Sequence, residues 1–141
     1  MHRRPIGRGR TLAILGAVAI LVGCLLPWFR IGGEDGSLTA VVDNGFEGIG
    51  ILCFIAALAT LALVALPYAA GDQPVSADRG LAYILLALLA AAGVLGWPIQ
   101  FLGDLLIGLL PDRAPGWWLA LVGLVILGRA AFEIAQEPAR R

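Results

Sequence analysis

The chain has no lysine, and its only histidine is His2, in the amino-terminal tail. The first absence removes any retinal-type Schiff base, and the second removes an axial imidazole for haem within the apolar segments. Charge is scarce, at 14% of residues, against roughly 25% in soluble domains. Ten basic residues balance ten acidic ones, so no basic surface points to nucleic acid. The two cysteines, Cys24 and Cys53, form no Cys-x-x-Cys and join no His/Cys cluster, so no metal site is expected. No Gly-rich phosphate loop, Ser/His/Asp set or pair of carboxylates within an apolar run is present. The expectation is a protein that is not an enzyme and holds no cofactor.

What is there is hydrophobic, at 60% of residues. Four apolar runs, 11–29, 48–70, 81–98 and 117–135, are divided by short polar breaks. Each is long enough to cross ~30 Å of hydrocarbon at about 1.5 Å per residue. In hydrocarbon every peptide group must be satisfied within its own segment, so the runs are read as helices. The expected architecture is an all-α membrane protein with a transmembrane domain over 11–136. Residues 1–10 and 137–141 form cytoplasmic tails on this reading.

Orientation follows from arginine and tryptophan. The first ten residues hold Arg3, Arg4, Arg8 and Arg10 and no acid, which favours a cytoplasmic amino terminus. Four spans return Arg140 and Arg141 to the same side. Trp28, Trp97, Trp117 and Trp118 then fall at outer span ends, as candidate interface anchors. All ten basic residues are Arg, and Ala, Gly and Leu are abundant, a pattern of GC-rich bacterial genomes. The expected location is therefore a bacterial plasma membrane. The amino terminus also imitates a leader, and Leu21-Val22-Gly23-Cys24 matches a lipobox. The next residues, Leu25-Leu26-Pro27-Trp28, stay apolar where a lipoprotein turns polar, so Cys24 is read as a small residue of the first helix.

Two loop elements are expected. Gly32-Gly33-Glu34-Asp35-Gly36 is a turn signal, Ser37–Val42 favours a strand, and Asp43-Asn44-Gly45 is a second break. This predicts a short outer β-hairpin in the first loop. Between the third and fourth spans, Gln100, Gly103, Asp104 and Gly108 share one helical face of Ile99–Leu110. That pattern fits an interfacial helix, with continuation of the third helix past Pro98 as the alternative. Gly-rich, Trp-bearing closures at 23–28 and 93–98 also hint at a parallel duplication.

Candidate chemistry is sparse. Arg129 and Glu133 are opposite charges four apart in the last span, with Arg129 about 18 Å along the axis from Trp117. They form an intramembrane ion pair or partner contact, or else Arg129 snorkels to cytoplasmic phosphates. Glu47 opens the second helix as a candidate cap, where free amides and the helix dipole favour a carboxylate. Cys24 and Cys53 lie at similar depth, either as free apolar-like thiols or as a disulfide.

The segment Leu26-Pro27-Trp28 with Gly45-Phe46-Glu47-Gly48-Ile49-Gly50 resembles a recurring pattern of small bacterial four-helix membrane proteins to which no activity is attached. The layout also resembles the claudin-like tetraspan plan, with Trp28 and Gly45-Phe46 flanking the first outer loop. That resemblance implies both termini inside and a β-rich loop; the family's paired loop cysteines are absent. Small multidrug-resistance transporters share the span count but depend on a glutamate in the first helix, which Thr11–Phe29 lacks. The expected function is an accessory or scaffold subunit, or a self-associating tetraspan. Its partners would be the lipid bilayer and another membrane protein or a second copy. A small oligomeric transporter or channel is the alternative.

Overall fold

The computed structural model describes residues 7–31, 41–69, 79–99 and 114–137. Four helices dominate: α1 (Arg8–Leu25), α2 (Ile51–Ala69), α3 (Arg79–Ile99) and α4 (Pro115–Gln136). Each is long and apolar enough to cross a membrane, the second counted together with the 3₁₀ turn Gly48–Gly50 that leads into it. The strands β1 (Pro27–Ile31) and β2 (Val41–Asn44) pair antiparallel between α1 and α2. The expected interfacial helix over Ile99–Leu110, with Asp104, lies outside the described residues beyond Ile99, as do the hairpin's turn and residues 1–6 and 138–141 of the tails; Arg8, Gly9 and Arg10, read from sequence as tail, begin α1.

Boundaries follow from local chemistry. The expected first run reached Phe29, but α1 stops at Leu25. Pro27 disfavours helical backbone in the residue before it, and Leu26 is extended at φ −86°, ψ 158°. The freed segment Trp28-Phe29-Arg30-Ile31 has the aromatic and β-branched content of a strand, and it supplies β1. At the other end of the hairpin, Gly48 takes φ 61°, a left-handed conformation that glycine adopts without strain. Pro115 occupies the first turn of α4, where its missing N–H costs no hydrogen bond.

Consecutive helices are neighbours, and α4 closes back on α1 as the tightest pair. The reason is a glycine ladder. Gly9, Gly16 and Gly23 recur every seven residues on α1; Gly16 and Gly23 face Gly123 and Gly116 on α4, and Gly9 faces Ile134. A Cβ at Gly16 would sit 2.7 Å from the Leu127 amide nitrogen. At Gly23 it would sit 2.7 Å from the Ala120 amide nitrogen, and at Gly123 it would sit 2.8 Å from the Gly16 oxygen. Backbone therefore meets backbone along the seam, as small residues allow.

The interior continues in small residues. Ala13, Ala17, Ala56, Ala57, Ala90 and Ala130 are fully buried or nearly so, while Leu25, Leu88, Val125 and Ile99 stand outside. Thr60 and Tyr83 are the buried hydroxyl residues among the described ones, no amide or charged side chain is buried there, and the Thr60 hydroxyl donates to the Ala56 carbonyl at 2.8 Å. No buried side-chain polar atom among them lacks a partner.

The seam makes a direct expectation. Gly16→Val should destabilise the fold by roughly 2–3 kcal/mol, the usual cost of overpacking a tight contact. A Cβ at Gly128 meets nothing within 4 Å, so Gly128→Ala should be neutral or stabilise by up to about 1 kcal/mol through helix propensity. Thermal unfolding of both variants in one detergent checks the contrast; equal midpoints would contradict the seam.

Candidate functional site: the capped dithiol end

Titratable and aromatic groups concentrate where the hairpin covers one end of the helices. The covering begins with a register shift in the ladder. Pro27 pairs with Asn44 and Phe29 pairs with Asp43, so Trp28 is an extra residue on β1. Such a bulge re-aims a side chain, and Trp28 is fully buried. Its Nε1 donates to the Gly23 carbonyl at 2.8 Å, which also accepts the Leu26 amide at 3.3 Å at the end of α1. The indole lies on Gly45, where a Cβ would come within 2.8 Å of the ring. Trp97 of α3 meets Trp28 edge-on at 5.5 Å, and Phe29 meets Trp97 at 6.3 Å.

Main-chain bonds fasten the hairpin to the helices. The Gly45 amide donates to the Cys24 carbonyl at 3.3 Å. The Phe46 amide donates to Asn44 Oδ1 at 3.1 Å, an Asx turn that reverses the chain after β2. The Phe46 ring then packs edge-on against Phe54 at 4.9 Å.

Beneath this cover the two thiols meet. Cys24 and Cys53 are both fully buried, with Sγ atoms hydrogen-bonded at 3.3 Å and no covalent bond between them. Cys53 Sγ also donates to the Gly50 carbonyl at 3.0 Å. Gly93 of α3 presses on Cys53 from behind; a Cβ there would sit 2.6 Å from the Cys53 amide nitrogen. Cys24 is the penultimate residue of α1 and Cys53 the third of α2. The pair therefore lies within one helical turn of the bundle's end.

The expected anchors divide into two kinds. Trp28 and Trp97 are buried inside the bundle rather than displayed on its rim. Trp117 is half-buried and its Nε1 donates to the Val94 carbonyl at 2.9 Å, tying α4 to α3. Trp118, against Trp117 at 5.2 Å, is the exposed member of the set. The bulge explains the first difference, because it turns Trp28 inward and Gly45 leaves room for the ring.

Glu47 stands just before the 3₁₀ turn, in extended backbone, and its side chain makes no capping hydrogen bond. Its neighbour is Asp43 instead. A hydrogen bond shared with Asp43 and repulsion from its charge push the Glu47 carboxyl above its ordinary value. Sequence reading paired Glu47 with the helix and overlooked Asp43, four residues earlier across the turn. Arg129 and Glu133 lie at the opposite end, where Gly9 of α1 approaches Glu133 and Ile134. Arg129 Nε donates to Glu133 Oε1 at 3.1 Å on the outer face of α4, with Arg129 65% exposed.

No three His, Cys, Asp or Glu side chains among the described residues are grouped so as to hold a metal ion. Chemically, the end offers a dithiol, two indole N–H groups already bonded to carbonyls, and one carboxyl pair of an exposed Glu47 and a half-buried Asp43. Comparison with protein-family models, curated proteins and solved structures finds no match to this chain.

The carboxyl pair has a pH signature. The Glu47 pKa is raised on folding, so the folded state holds the proton more tightly and gains stability as pH falls through that group's range. Asp43→Asn removes the named cause and should return Glu47 toward the ordinary glutamate value. A side-chain NMR titration of Glu47 checks it; an unchanged midpoint in Asp43→Asn would contradict the pairing.

Proposed function

We propose that this chain is a multi-pass integral protein of a bacterial plasma membrane that works by contact, as an accessory or scaffold subunit or a self-associating tetraspan. One observation carries the reading: most buried positions are small, and the outside is large and apolar. Alanine and glycine supply most of the interior, beside a few large side chains such as Ile20, Tyr83, Trp97 and Leu127, while leucine, isoleucine, valine and phenylalanine cover all four helices. Water would penalise so much contiguous apolar surface, whereas lipid tails solvate it. In lipid, helices associate through close packing of small residues rather than by hiding large ones.

The distribution of polar groups supports the orientation. Gly9 lies against Ile134, and Gly80 against Ala135, so the starts of α1 and α3 share one end with the finish of α4. That end holds Arg8, Arg10 and the Arg129–Glu133 pair, while the four tryptophans gather toward the other. Basic residues favour the cytoplasmic side, so both termini would face the cytoplasm. Arg129, exposed on the outer face, fits the snorkelling role at that boundary better than a buried path-lining one.

A groove of about 480 Å³ between α2 and α3 supports the contact role. Ala59, Ala62, Leu63, Leu66, Ala82 and Leu85 line it, and its alanines would let a partner's apolar helix approach closely. The transporter reading finds less support. No charged or amide side chain is buried among the described residues, so a water path would have to run between copies.

Native mass spectrometry of the protein extracted in mild detergent should give one discrete assembly, a heteromer or a closed homo-oligomer. Ala62→Leu, which fills the groove without touching the α1–α4 seam, should dissociate that assembly and leave a folded monomer. A bare monomer for the parent protein would contradict the contact role. An assembly indifferent to Ala62→Leu would move the contact to another face.

A further inference from the structure

We propose that Cys24 and Cys53 are a reversible redox pair that closes into an intramolecular disulfide and staples α1 to α2 beneath the hairpin. Elsewhere the small residues of the interior are mostly alanine and glycine. At these two positions the small residue instead carries a sulfur that can react. Here the two sulfurs face one another at 3.3 Å. A disulfide needs about 2.05 Å, so closure shortens the sulfur–sulfur distance by only about one ångström. Gly93 presses against Cys53, and the Gly45 amide holds the Cys24 carbonyl, so both backbones are fixed on either side of the gap. The residues between the two cysteines are the ones that form the hairpin, and the bond would fasten both of its roots.

The oxidant class is a small apolar disulfide, able to reach a site within one turn of the bundle's end. The thiolate of one cysteine attacks a sulfur of the reagent R–S–S–R. A protein–S–S–R bond forms, the reagent's own S–S bond breaks, and the departing RS⁻ takes up the first cysteine's proton. The second cysteine's thiolate then attacks the protein-bound sulfur from the first step. The Cys24–Cys53 bond forms, and a second RS⁻ leaves with the second proton. Two thiols are oxidised and one disulfide reagent is reduced to two thiols, so electrons and protons balance without another reactant. An exchange of this kind is favoured when the second thiol is already in place.

Dithiodipyridine on the intact chain in detergent tests this, read by whole-protein mass spectrometry. The parent protein should lose two hydrogens, retain no thiopyridyl group and keep the covalent mass of a single chain, and dithiothreitol should restore the starting mass. Cys24→Ala and Cys53→Ala should each retain one stable thiopyridyl adduct. The closed form should also unfold at a higher temperature than the reduced form, since the bond constrains the unfolded chain. A parent protein that holds two adducts, keeps both thiols unreacted or links to a second copy would overturn the proposal. So would a closed form that unfolds no later than the reduced one. The parent protein's own result decides even if a variant fails to fold.

Discussion

Backbone-to-backbone contact between α1 and α4 is the constraint on which the other arrangements depend. Glycines spaced seven apart bring two helices so close that a single added carbon would collide with the opposite main chain. That contact joins the first helix to the last and so closes the ring of four. It also ends at the carbonyls of Gly23 and Leu26, against which Gly116 abuts. The same turn of α1 presents Cys24 and receives the Trp28 N–H. The geometry of the capped end is therefore inherited from the seam.

Close approach sets the chemistry of both surfaces. Small residues spent on the inside leave the large apolar ones outside, which is the arrangement a lipid environment stabilises and water opposes. A packed, apolar interior leaves little room for polar groups, so the reactive features collect at the ends. At one end Arg129 and Glu133 pair on the exterior. At the other, the hairpin folds over two thiols and two tryptophans.

Hydropathy alone made the four helices legible, because long uncharged runs have few alternative readings. Where α1 ends was also legible, since Pro27 marks it, but the apolar character of Trp28 and Phe29 outweighed that signal. The glycine ladder stood in plain view at 9, 16, 23, 116 and 123, a seven-residue period that points to one helix face. The inward turn of Trp28 was not legible. It depends on a register shift between two strands, and alternation cannot be read through a bulge. The meeting of Cys24 and Cys53 was half legible: depth along each helix follows from sequence, whereas rotation about each axis follows from packing. Glu47 was placed at the right turn with the wrong partner, because repulsion from Asp43 arises only once the hairpin brings the chain back.

The most direct test of the central constraint is solid-state NMR of the chain in lipid bilayers with ¹³C-labelled glycine. The seam predicts through-space cross-peaks between Gly16 and Gly123 and between Gly23 and Gly116. Intact helical shifts for all four glycines without those cross-peaks would contradict it, and the account of the ring and of its capped end would fall with it.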